Sequence, residues 1–233
     1  PTIAQHTGFT EVILQGGTTG NDIYGGGKLA QVLCDNVAIR HRDVSNTIVT
    51  DTYNNATTSA MVDGSTFAHS VYGGGSVSEV KVTDATNNNA NTYAYMTSGS
   101  VTGDLFGGGN QGVVTGNSHI IMTGGQLHGN IYGGGNNAAV SKNTEVRISG
   151  ATTVIEGYVF GGGDEGAVNG GTVINMAGGH LLKSMFGGGN KATVAKDTDV
   201  AISGDSTVDV NVYGGGNEGE VTGNTHIKIG ADN

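Results

Sequence analysis

A chain of 233 residues with 44 glycines, one proline and 36% apolar residues lacks the three-residue glycine period and the proline of collagen, yet has enough apolar material for a layered core. Twenty acidic residues against ten basic leave a formal charge of −10, which repels phosphate backbones and argues against nucleic-acid binding. No run approaches the ~18 apolar residues of a membrane helix, so no membrane insertion is expected, and the lone Cys34 excludes an internal disulfide.

Pro1 is not followed by a charged and then apolar leader, so a secretion signal is expected to have been removed or never to have belonged to this sequence. Thr10, Val12 and Leu14 alternate as a strand does, one face in and one face out. Ile23, Tyr24 and three glycines come next. They are the first of seven copies of an apolar residue, an aromatic and Gly-Gly-Gly, with the aromatics at Tyr24, Tyr72, Phe106, Tyr132, Phe160, Phe186 and Tyr213. A valine stands eight residues after each ring, at Val32, Val80, Val114, Val140, Val168, Val194 and Val221.

Two early copies are then interrupted. An insertion at 33–57 separates Val32 from the strand at Thr58, Ala60 and Val62, and another at 81–91 separates Val80 from the strand at Thr92, Ala94 and Met96. The first is expected to project as a hairpin from 36–41 and 46–50 and carries two of the chain's three arginines. The second leads to Tyr93 and Tyr95, on positions that alternation turns outward. Loops grafted on a regular body carry function disproportionately. The candidate ligand-binding residues are therefore Arg40, His41, Arg42, Tyr53, Tyr93 and Tyr95, an aromatic and cationic cluster on an acidic body.

From Phe106 the rings recur every 26–28 residues. Each later copy sets a Ser or Thr four residues after its valine (Ser118, Thr144, Thr172, Thr198, Thr225), followed by alternating apolar pairs such as Ile120 and Met122. No helical period occurs. These regularities predict an all-β fold, a single-stranded parallel β-helix (solenoid) of about seven to eight coils of 26–28 residues with three short strands per coil, forming one domain over 1–233. Stacked coils turn sequence columns into ladders. Asn110, Asn136, Asp164, Asn190 and Asn217 are expected to form a structural ladder at one corner, where side-chain amides bond one another and the turn backbone. In the adjoining column Lys191 falls between Glu165 and Glu218 and relieves their repulsion.

The glycine triplets read as corners where backbones approach closely. A phosphate cradle is not expected, since no helix follows them. The aromatic column is expected to pack, through a bend at the glycine that aims two consecutive side chains into the core. Copies at Phe106, Phe160 and Tyr213 have Gly112, Gly166 and Gly219 where those at Tyr132 and Phe186 have Ala138 and Ala192, so the duplicated unit reads as a pair of coils. The final strand leaves its coil unfinished, which predicts either a longer repeat array or end-to-end self-association through open edges.

The strings Val-Tyr-Gly-Gly-Gly-Asn at 212–217 and Gly-Glu-Val-Thr-Gly-Asn-Thr-His-Ile-Lys-Ile at 219–229 resemble glycine-rich repeat segments of secreted, adhesin-like surface proteins of gut bacteria. The likeness spans roughly Thr10 to Ile229 and implies a secreted or cell-surface location and no catalytic motif to carry over.

The leading functional expectation is a non-enzymatic surface module, a stalk or a binder of glycan or host-cell protein. The alternative is a polysaccharide lyase or glycoside hydrolase on a β-helix scaffold, with Glu165 and Glu218 two coils apart, about 9.6 Å by the stacking distance. Lys191 between them favours the structural explanation. No cofactor and no metal site are expected: the calcium β-roll repeat is missing, and Val173 separates His119 from His226 in their shared column.

Overall fold

The computed structural model describes residues 5–7, 9–29, 31–34, 39–42, 48–51, 57–64, 66–67, 69–82 and 90–230, with 5–7, 9, 31–34, 39–42, 48–51, 57, 66–67 and 82 described through their backbone alone. Among the described residues there is no helix. The chain winds as a parallel β-solenoid, and hydrogen bonds between equivalent residues of successive turns run along its axis.

Three ladders make up the wall. The two-residue strands that contain the rings, from Ile23–Tyr24 through Val71–Tyr72 and Leu105–Phe106 to Val212–Tyr213, form a seven-stranded sheet in strict sequence order. A second sheet stacks the long alternating strands, including Asn91–Met96, Ser118–Met122, Thr144–Ile148 and Thr225–Ile229, together with short strands such as Gln126–Leu127 just beyond the bend. The valine column is the third ladder, with Val80, Val114, Val140, Val168, Val194 and Val221 each bridged in parallel to the next.

Register follows the columns read from the sequence. Ser118 pairs with Thr144, Thr144 with Thr172, Thr172 with Thr198 and Thr198 with Thr225. The number of regular turns does not follow. From Thr92 to Thr225 the chain makes five complete turns whose equivalent residues lie 26–28 apart, not seven to eight. The preceding turns, Thr10 to Thr58 and Thr58 to Thr92, are lengthened by the two insertions. Counting aromatic copies therefore overstates the count of regular coils.

Alternation builds the interior. Ile120, Met122, Val146, Ile148, Ile174 and Met176 are all at most 1% exposed and pack with Leu105, Ile131 and Val159 from the opposite wall into one aliphatic core. Each such side chain contributes roughly 1.5–3 kcal/mol by leaving water. The rings are packed as well, but by another route than the expected bend. Tyr72, Phe106, Tyr132, Phe160 and Phe186 form a cluster of their own, separate from that core. Val71 and its equivalents point in, the rings point away, and the rings are buried by stacking on one another.

Candidate functional site

The ring ladder floors a groove along one corner of the solenoid. From Tyr24 to Tyr213 neighbouring ring centroids lie 4.7–5.1 Å apart with planes within 15° of parallel. This spacing is set by the turn-to-turn distance of the backbone, and it leaves each inner ring with both faces occupied. The inner rings meet the groove by their edges alone, and its volume is ≈ 410 Å³. Asn190 and Asn217 wall it on the side that follows the rings, Asn130, Tyr158 and Ser184 on the side that precedes them. Burial pushes the Tyr132 hydroxyl well above the usual phenol range, so it stays protonated.

The asparagine column is bonded side chain to side chain at three of its four steps, the step from Asn136 to Asp164 being the exception. Asn136 Nδ2 donates to Asn110 Oδ1 at 2.9 Å, Asn190 Nδ2 to Asp164 Oδ1 at 2.7 Å, and Asn217 Nδ2 to Asn190 Oδ1 at 2.9 Å. In the next column Lys191 Nζ lies 3.1 Å from Glu165 Oε1, and that carboxylate holds the ammonium above its usual range. Glu165, Lys191 and Glu218 are exposed, and none of them lines the groove. The residues named for the hydrolase alternative thus form a solvated charge ladder.

Tyr158 was not singled out by sequence reasoning, although a signal was there. Two residues before each ring the chain carries Asp22, Ser70, Asp104, Asn130, Tyr158, Ser184 and Asn211, so one large aromatic interrupts a column of small polar residues. Its ring is 41% exposed and tilts by 42° and 52° to Phe160 and Phe186.

Of the predicted cluster, Arg40, His41 and Arg42 fall on the strand Ile39–Arg42, which pairs antiparallel with Ile48–Asp51. The expected hairpin is present, its strands starting two to three residues later and ending one residue later than the runs 36–41 and 46–50. In the backbone register Arg40 is opposite Thr50 and His41 opposite Val49. The hairpin runs beside the Phe9–Gln15 and Thr57–Asp63 strands. Tyr53 lies outside the described residues.

Tyr93 and Tyr95 depart from the expected exposure. Both project from the outer face of Asn91–Met96, but they are 6% and 0% exposed and pack with Met61 and Ile121. Alternation fixes the side of the sheet a side chain takes, and it is silent about whether another layer covers that side. Neither tyrosine belongs to an open binding surface. Tyr93 instead stacks on His119 with centroids 4.7 Å apart. His119 Nδ1 lies 3.1 Å from Glu145 Oε2, and Arg147 Nε donates to Glu145 Oε1 at 2.6 Å. The His119 hydrogen bond, and then Arg147, hold the Glu145 carboxyl below its ordinary range.

Further histidine–carboxylate pairs bridge adjacent turns: His69 with Asp22, His128 with Glu156, His180 with Asp209 and His226 with Asp199. Among the described residues no group of three or more His, Cys, Asp or Glu is placed to hold a metal ion. No helix is long and apolar enough to cross a membrane, again among the described residues. No protein-family model matches the chain, and no curated protein or solved structure matches it either.

Proposed function

We propose that the chain is a non-enzymatic, adhesin-like module of a secreted or surface-exposed bacterial protein, in which the coil is a stiff spacer and the 33–57 insertion is its recognition element. The observation that carries this reading is the unbroken axial register of the aromatic and valine ladders, from which one hairpin with Arg40, His41 and Arg42 departs. A body in which every turn repeats the bonds of the last specifies length and stiffness. Arg40 and Arg42, two of the three arginines of a chain of net charge −10, are the groups of this hairpin suited to an anionic glycan or an acidic protein surface. The resemblance to glycine-rich surface repeats points to the same location and role.

Binding of the full chain to a glycan array and to host epithelial cells tests the reading, against the Arg40→Ala/His41→Ala/Arg42→Ala variant. The triple variant is expected to keep its melting temperature and lose binding, and the wild-type binding to weaken with salt. Equal binding by both proteins would remove the hairpin from recognition.

A further inference from the structure

Two residues before the rings, from Asp22 to Asn130, a side chain of each turn accepts a backbone N–H of the next. Ser70 N–H donates to Asp22 Oδ1 at 3.0 Å, Asp104 N–H to Ser70 Oγ at 2.9 Å, Asn130 N–H to Asp104 Oδ1 at 2.7 Å and Tyr158 N–H to Asn130 Oδ1 at 2.8 Å. At Tyr158 this series of short acceptors stops, because a phenol oxygen six atoms from the backbone cannot fold back to the adjacent turn as a carboxamide does. The bond is not resumed between Ser184 and Asn211 either, but only Tyr158 replaces the short polar side chain itself, by an exposed aromatic, and such a departure from a local rule is the pattern of a functional position.

The surroundings say what that position would hold. Tyr158 leaves the parallel stack, with centroids 6.1 Å from Phe160 and 6.3 Å from Phe186, and so presents ring surface where the inner rings present edges. No charged side chain lines the groove, although the chain carries twenty acidic and ten basic residues. Its walls offer carboxamides and a hydroxyl. Asn190 and Asn217 each spend one amide hydrogen on the ladder, and each nitrogen carries a second. A volume of ≈ 410 Å³ falls within the range of about 300–1,000 Å³ of ligand sites.

We propose that the groove beside Tyr158 binds a neutral saccharide chain, with the Tyr158 ring stacking on a sugar face and Asn130, Asn190 and Asn217 hydrogen-bonding its hydroxyls. An aromatic platform edged by uncharged amides matches the alternating C–H and O–H character of a sugar ring. A charged ligand finds no counter-charge there. An extended peptide would need free backbone groups, and those at this corner are engaged from turn to turn, as Gly187 N–H is with Tyr213 O and Asn190 N–H with Gly163 O. This site is separate from the hairpin and stands or falls without it.

The test titrates the full chain, by calorimetry and by amide NMR, with neutral hexasaccharides (β-1,4-glucan, β-1,4-xylan and α-mannan), hexagalacturonate and an uncharged extended decapeptide. At least one neutral hexasaccharide is expected to bind, with shifts centred on Asn130, Tyr158 and Asn190. Tyr158→Asn, which restores the acceptor of the column, is expected to weaken it by about tenfold while the melting temperature holds or rises. Tyr158→Phe keeps the ring and is expected to keep most of the affinity. The proposal is overturned by shifts that centre elsewhere, by no binding of any neutral hexasaccharide, by equal affinity in Tyr158→Asn, or by preference for hexagalacturonate or the peptide.

Discussion

Thr144 donates its hydroxyl to the carbonyl oxygen of Gly161, 2.5 Å away, across the interior of a single turn. The same bond joins Thr10 to Gly25, Thr58 to Gly73, Thr92 to Gly107, Ser118 to Gly133, Thr172 to Gly187 and Thr198 to Gly214. It ties the start of each long strand to the first glycine after each ring, and Thr144 is buried. Thr144→Val keeps the shape and strands the carbonyl, so it is expected to cost about 1–3 kcal/mol. Thr144→Ser should cost less. Urea midpoints of the three proteins measure both, and a valine variant as stable as wild type would show that the bond contributes nothing.

Gly112 and Ala138 occupy equivalent places in successive turns and should respond to substitution unequally. A Cβ on Gly112 would sit 2.1 Å from Ser78 O and 2.8 Å from the carbonyl carbon, both backbone atoms that cannot step aside. Gly112→Ala is expected to destabilise by roughly 3 kcal/mol or more. Ala138 already carries its methyl group, 4% exposed, so Ala138→Gly should lose only about 1 kcal/mol. Calorimetry of the two single variants reads the asymmetry directly.

Asp104 is a charge the fold would do better without. Burial first, then Asp164, push its carboxyl above the ordinary range, so the charged form is penalised in the folded state at neutral pH. Protonation relieves that penalty as pH falls through the folded value. Asp104→Asn keeps an acceptor for Asn130 N–H, as Asn130 itself does for Tyr158. The variant is expected to melt higher than wild type at pH 7, with the gain fading towards pH ~3. A lower melting point at pH 7 would mean that the negative charge itself is needed at this corner.

Glu145 has the opposite sign. Its carboxyl titrates below its unfolded value of about 4.3, so the stability it adds is present above that pH and is lost as pH falls through the lower folded value. Glu145→Gln is expected to lower stability at pH 7 and to flatten the acid limb of the melting curve below pH ~4. An unchanged acid limb would remove His119 and Arg147 as its partners in stability.

Periodicity made axial neighbours legible, and it did so residue by residue. The valines eight positions after each ring proved to be consecutive bridges, and Ser118, Thr144 and Thr172 proved to be register partners. Radial layering was not legible. Nothing in the alternation of Thr92 to Met96 says that Tyr93 and Tyr95 are covered, because covering depends on what is laid over the sheet. The hydroxyl column marked register in the sequence, whereas its bond to glycine crosses the turn and joins residues 15–17 apart in the chain. Tyr158 escaped notice for a related reason: a search for what recurs passes over the place where recurrence fails.

The backbone bonds between turns lie parallel to the long axis, and this determines how the molecule yields to a pull. Tension on the two ends of a rod built this way opens the outermost ladder rungs first and loads the inner ones only afterwards. Extension should therefore proceed in discrete releases, each freeing one loop of chain and roughly 90 Å of slack, while the remainder of the rod keeps its shape. A rod of this kind lengthens under load one turn at a time instead of coming apart at once.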